Sequence, residues 1–299
     1  MGSGTWSSKS FSTYTTNTRG ISLDEYENNN YSTQEIFTSQ RLAPELNPYG
    51  VMRECCDSAE HPNSFPIILA PDVTGSMGGA ARKVAQKLNT LMTELYEDKS
   101  IKDPEFCIIA IGDVAYDRAP VQMTQFESDI RIAEQLDKVY FEGGGGGNGF
   151  ESYTAAWYMG LYHCALDCWK RGKKGLIITL GDECPNPYIP ANNFRAITGD
   201  KLPEGDVETK PLLEAVKEKF EVYHLSVNDE DSSYKWHNHN HYLDDKWTSL
   251  LGDHYKVVTL DNLIPTIVKI IKENAGNNIF ETVVSNTNTV ISKDGFISW

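Results

Sequence analysis

Apolar residues fall along this chain in two rhythms. Unbroken runs of strand length occur at Ile67 to Ala70 and Phe106 to Ile111, and Leu176 to Leu180, Glu221 to Val227 and Tyr255 to Val258 read as three further strands. Continuous rather than alternating apolarity marks a strand covered on both faces. Between the runs, apolar positions recur at helical spacing. Val84, Leu88, Leu91 and Leu95 predict an amphipathic helix running to Glu97, and Ala155, Met159, Tyr162, Leu166 and Trp169 predict the buried face of another. Ile130 to Leu136, Pro211 to Phe220, a short segment around Leu243, Trp247, Leu250 and Leu251, and Leu260 to Ile271 complete the helices, with Val121 to Met123 as a short edge strand. Alternating strands and helices predict an α/β fold with a doubly wound, mostly parallel central sheet flanked by helices, a Rossmann-like three-layer sandwich.

That pattern occupies residues 63–275. Residues 1–62 read as a polar N-terminal arm, rich in Ser and Thr and broken by Pro44, Pro48 and Pro62. Tyr14, Tyr26, Tyr31, Phe37 and Leu42 give it apolar anchors for the core domain or a second subunit. Residues 276–299 read as a C-terminal tail or an added edge strand. The stretch from Glu183 to Glu208 holds Pro185, Pro187, Pro190 and Pro203 and reads as a long connection leaving the loop edge of the sheet.

Composition narrows the function. A formal charge of −15 repels phosphate backbones and disfavours nucleic acid as a partner. The longest apolar runs fall short of a membrane span, which needs about 18 or more residues, and residues 1–20 lack the apolar core of a secretory signal. Six cysteines, with Cys55 and Cys56 adjacent and Cys164 and Cys168 one helical turn apart, lack the paired spacing of a zinc site and fit reduced thiols in a cytoplasmic protein.

The candidate chemistry sits where strands end. Ile67 to Ala70 runs into Asp72-Val-Thr-Gly-Ser76, which sets Asp72, Thr74 and Ser76 at alternate positions of a turn opening onto a helix. Three oxygen side chains facing one small space suit a hard divalent cation, which takes oxygen ligands. A nucleophile elbow would need glycine where Thr74 stands, and a phosphate-binding P-loop would need a lysine that is absent. Five glycines, Gly143 to Gly147, precede Glu151 at the start of a helix, as suits a backbone that must approach a bound ion closely. Leu176 to Leu180 ends in Gly181-Asp182. In a doubly wound sheet such strand ends share one edge crevice.

Asp72-Val-Thr-Gly-Ser76 resembles the Asp-x-Ser/Thr-x-Ser motif of the metal-ion-dependent adhesion site in von Willebrand factor type A (vWA) domains, of the intracellular bacterial or phage type. The resemblance implies a glycine-rich second loop carrying one ligand, usually threonine, where Glu151 stands, with Ser152 and Thr154 as competitors. It implies a ligand from a third loop at Asp182 and a bound Mg²⁺, with Mn²⁺ or Ca²⁺ as alternatives. Function would then be non-enzymatic: an adaptor that binds a partner protein through a Glu or Asp completing the metal's coordination. A MoxR-type AAA+ ATPase or a stress or conflict system is the context the resemblance permits. A metal-dependent hydrolase using the same cation is the competing class. His237, His239 and His241 alternate along a polar stretch and offer either a transition-metal cluster or a solvated loop.

Overall fold

The apolar runs become one six-stranded sheet: β1 (Phe65–Pro71), β2 (Pro104–Ile111), β3 (Val121–Met123), β4 (Gly175–Gly181), β5 (Phe220–Asn228) and β6 (Tyr255–Thr259). In the computed structural model, which describes residues 4–144, 149–201, 205–228 and 241–275, the strands lie in the order β3-β2-β1-β4-β5-β6. All neighbours are parallel except β2 with β3. The order reverses between β1 and β4, which makes the fold doubly wound. Every residue of β1 is buried, with Ile67 and Leu69 in one core and Ile68 and Ala70 in the other. Side chains alternate across a strand, so an unbroken apolar run feeds two cores at once.

Three helices of the arm, α1 (Ser8–Arg19), α2 (Leu23–Asn28) and α3 (Thr33–Ile36), lie over the first face with α4 (Gly78–Gln86), α5 (Leu88–Glu97) and α6 (Arg131–Leu136). On the second face stand α7 (Tyr153–Tyr162), α8 (Ala191–Thr198), α9 (Thr209–Lys217) and α10 (His241–Leu251), while α11 (Leu260–Ala275) returns to the first. Among the described residues no helix is long and apolar enough to cross a membrane.

The arm is more ordered than its composition predicts. Ser7 caps α1 by accepting from Ser10 N, and Gly20 ends it in the left-handed region at φ 71°. Trp6, Phe11, Tyr26, Ile36, Phe37 and Leu46 join the first core, so the arm folds onto its own domain. Gln86 pins it by donating to the Tyr26 and Asn29 carbonyls at 2.7 and 2.9 Å. Replacing Gln86 by alanine strands both carbonyls and is expected to cost about 1–2 kcal/mol. Denaturant melts and limited proteolysis check this; an unshifted midpoint with no faster cleavage in the arm would show that the amide holds nothing.

Local patterns were misled where distant partners intervene. The helix expected from Val84 to Glu97 is two helices, α4 and α5, joined at Lys87 (φ −100°, ψ 14°). Periodicity past Tyr162 does not continue α7, because Cys164–Leu166 leaves it to pair in parallel with Arg53–Cys55 of the arm. The connection after Asp182 is folded: it contains α8 and a pairing of Tyr188–Ile189 with Val207–Glu208. Residues 276–299, His237 and His239 lie outside the described residues, whereas His241 opens α10.

Candidate metal centre

Asp72 and Asp182 each directly follow a strand, β1 and β4, the neighbours between which the order reverses. Ligands of open α/β sheets bind in the crevice at that point. Asp72 is wholly buried, and its amide donates to the Leu180 carbonyl at 2.9 Å, which pulls the turn against β4. Its Oδ1 accepts from Thr74 N at 2.8 Å and from Thr74 Oγ1 at 2.6 Å, and its Oδ2 accepts from the Tyr153 hydroxyl at 3.0 Å. Ser76 Oγ donates to Asp182 Oδ1 at 3.0 Å, closing the crevice from the other side. The hydroxyl hydrogens of Thr74 and Ser76 are thus spent on carboxylates, which leaves their oxygen lone pairs for another acceptor of electrons.

The glycine-rich connection lies beside this turn: Glu142 N donates to the Val73 carbonyl and Gly75 N to the Gly144 carbonyl, both at 3.0 Å. Beyond it, Phe150–Glu151 pairs in parallel with Cys184–Pro185, and Asn186 N donates to the Glu151 carbonyl at 3.1 Å. Glu151 is therefore held by the segment that follows Asp182. Of its competitors, Ser152 is occupied as a tie between loops, its Oγ accepting from Val114 N at 3.0 Å and from Asn186 Nδ2 at 2.9 Å. Thr154 Oγ1 and Glu151 Oε2 are both buried without a hydrogen-bond partner.

Electrostatics single out the same place. Burial, then the charge of Asp182, pushes the Asp72 carboxyl up to about 7, against the pull of the Thr74 and Tyr153 hydrogen bonds. Glu151 is only 4% exposed, and burial, followed by the charges of Asp72, Asp117, Asp113 and Glu183, pushes it up to about 11. Burial with Glu142 and Asp113 likewise raises Asp117 to about 6, opposed by its hydrogen bond from the Asp113 amide. Each ionised carboxylate in such a crowd raises the pKa of its neighbours.

Hydrogen bonds join Asp72 to Thr74 and Ser76 to Asp182, and the Asp72 carboxyl feels the charge of Asp182, as Glu151 feels that of Asp72. Among the described residues no group of three or more His, Cys, Asp or Glu side chains is disposed to hold a metal, so a cation here must draw on the Thr74 and Ser76 hydroxyls. The donor set, hard oxygens beside a buried carboxylate oxygen without a hydrogen-bond partner, fits a hard divalent ion. Sequence reasoning missed Tyr153, whose bond to Asp72 spans 81 positions and leaves no local signal. It also passed over Asp113, although the run ending in Gly112-Asp113 repeats the signal that marked Asp72 and Asp182.

The strand order and the Asp72-Val-Thr-Gly-Ser76 turn at the reversal give the chain the vWA-like fold that the motif implied. No protein-family model and no curated protein matches the sequence. Solved structures do match. The pilus adhesin SpaC from Lactobacillus rhamnosus GG, open conformation, aligns with TM-score 0.49 and 14% identity over 76% of this chain and 31% of the adhesin. The vWF domain of the type V pili tip protein Mfa5 from Porphyromonas gingivalis aligns with TM-score 0.46 and 10% identity, over 72% of this chain and 97% of that one. Proximal thread matrix protein 1 from the mussel byssus, with a zinc-occupied MIDAS motif, gives TM-score 0.42 and 12% identity over 76% and 47%. The chain spans about a third of the length of the adhesin, and the likeness is one of fold alone.

Proposed function

We propose that this chain is a non-enzymatic protein-interaction module that binds a partner through a divalent cation held by Asp72, Thr74, Ser76, Glu151 and Asp182. The observation that carries the reading is Glu151: a buried carboxylate whose Oε2 has no partner and whose strongest charged neighbours are all carboxylates. A cation supplies the missing counter-charge. When bound, it would also offer an open coordination position to an oxygen of the partner.

The chain's own residues do the rest. Asp72 and Asp182 orient the two hydroxyls by accepting their hydrogens, and Tyr153 holds Asp72 from behind, itself fixed by accepting from Glu183 N at 3.2 Å. Ionised Asp72, Glu151 and Asp182 together exceed the charge of a divalent ion by one. An acidic ligand from the partner therefore gains less here than at a site with threonine in the place of Glu151, and a neutral carbonyl or hydroxyl oxygen competes with it. Mg²⁺ is the ion we assign, as the hard cation such oxygen sets favour. His224, beside Tyr153, is wholly buried and stacked on Trp247 at 3.6 Å, which keeps it from acting as a base on a bound substrate and supports the non-enzymatic reading. The six free cysteines support a reducing, cytoplasmic setting. A MoxR-type ATPase remains a partner class that only the motif's resemblance suggests.

The test is capture of cell proteins on the immobilised chain with and without chelator, beside Asp72→Ala. Chelator and variant should release the same partner; capture indifferent to both would end this reading.

Protons must leave as the metal enters. Asp72 holds its proton up to about pH 7 and Glu151 to still higher pH, so Mn²⁺ affinity is expected to rise through pH 7 and to go on rising above it, with proton release. In the metal-free chain the sign is opposite for stability. The folded state keeps the Asp72 proton longer than the unfolded state, so stability is full below 3.8 and is lost as pH rises toward about 7. Calorimetry in buffers of different ionisation enthalpy reads the released protons, and a buffer-independent heat contradicts the expectation.

A further inference from the structure

A cleft of about 450 Å³ opens between the arm, α4 and the carboxyl ends of β5 and β6. That is the size of a small-molecule site, roughly 300–1,000 Å³. Its lining is polar almost throughout, with Leu260 its one large apolar side chain among the described residues. In a chain of charge −15, three cations meet in it: Arg82, Lys83 and Lys87. Among the described residues Lys83 alone of the three faces a carboxylate, Asp261 Oδ1 at 3.3 Å, whose side chain is 93% exposed. Arg82 donates to the Tyr31 carbonyl at 2.7 Å and Lys87 to Asn28 Oδ1 at 3.3 Å, neutral acceptors that leave both charges without an ion pair among the described residues. The first turn of the 16-residue helix α11 adds its positive end through Thr259 and Leu260.

One wall has the opposite character. Glu27 lines the cleft with Oε1 buried and without a hydrogen-bond partner, beside the amides of Asn28, Asn29 and Asn30. A carboxylate and three amides along one wall can accept from and donate to hydroxyls. The cations on the α4 side want an anion, and both Arg and Lys recognise phosphate. Among the described residues no aromatic ring lines the cleft.

We infer that this cleft binds a phosphorylated sugar or polyol, phosphate toward Arg82 and Lys87 and hydroxyls toward Glu27. The site is separate from the metal crevice, although Gly79 in its wall stands three residues beyond Ser76.

The test titrates the full chain, in chelator so that the metal reading is not involved, with ribose 5-phosphate, inorganic phosphate and ribose by calorimetry. Ribose 5-phosphate is expected to bind at least about tenfold more tightly than phosphate, and ribose to give no heat. Arg82 also ties the arm, so the variants are Lys87→Gln, with Lys83→Gln as a second, each checked by thermal melting. Either should weaken ribose 5-phosphate several-fold, and Glu27→Gln should bring it down to the affinity of phosphate. Absence of binding to all three probes at roughly 10 mM overturns the site. So does affinity unmoved in the folded lysine variants; equal affinity for phosphate and sugar phosphate overturns the polyol.

Discussion

Asp72→Asn will reduce Mn²⁺ or Mg²⁺ affinity by at least about a hundredfold while leaving the metal-free domain as stable as before, or more so. Asparagine keeps the shape: its Oδ1 can still accept from Thr74, while its Nδ2 replaces the second carboxylate oxygen and donates to the Tyr153 hydroxyl. What it removes is a wholly buried charge that Asp182 already opposes. A metal site pays for its affinity in just this way, by carboxylates that repel one another until the ion arrives. Asp72→Ala should lose the ion equally but also strand the Tyr153 hydroxyl, so its melting temperature should fall where that of Asp72→Asn does not. Titration calorimetry and thermal melting of both variants separate the two effects. Affinity retained within a few-fold by Asp72→Asn would remove the cation from this crevice.

Gly181→Ala will cost about 3 kcal/mol and lower the melting temperature by about 10 °C. A Cβ at 181 would overlap the hydroxyl and ring of Tyr153. Neither side can yield easily. Gly181 is the last residue of β4, paired with Ser226 of β5, and Tyr153 is wholly buried between Asp72, His224 and Trp247. The variant should also weaken cation binding, because a displaced Tyr153 releases Asp72 Oδ2 and the Glu183 amide together. A melting temperature within about 2 °C of the parent would show that the crevice is looser than its contacts imply.

Much of this architecture was legible in single stretches of chain. Phe106 to Ile111 announced a doubly covered strand, and Asp72-Val-Thr-Gly-Ser76 announced an oxygen-rich turn, because strand burial and turn chemistry depend on residues a few positions apart. The helix α1 was illegible in a Ser/Thr-rich stretch, since Phe11 and Thr15 become buried only once the arm meets the first core. The two-part helix around Lys87 and the departure of Cys164–Leu166 from α7 were decided likewise by neighbours distant in the chain.

The sequence by itself determined which residues end strands, which turns carry oxygens and that the two kinds of element alternate. Only the tertiary structure decided that β1 and β4 are neighbours, that Tyr153 reaches Asp72, and that Glu151 is buried among carboxylates with its Oε2 unpartnered. The reason is one of range. Backbone propensity and turn chemistry act over a few residues, whereas burial and the charge felt by a carboxylate are sums over everything the fold brings near.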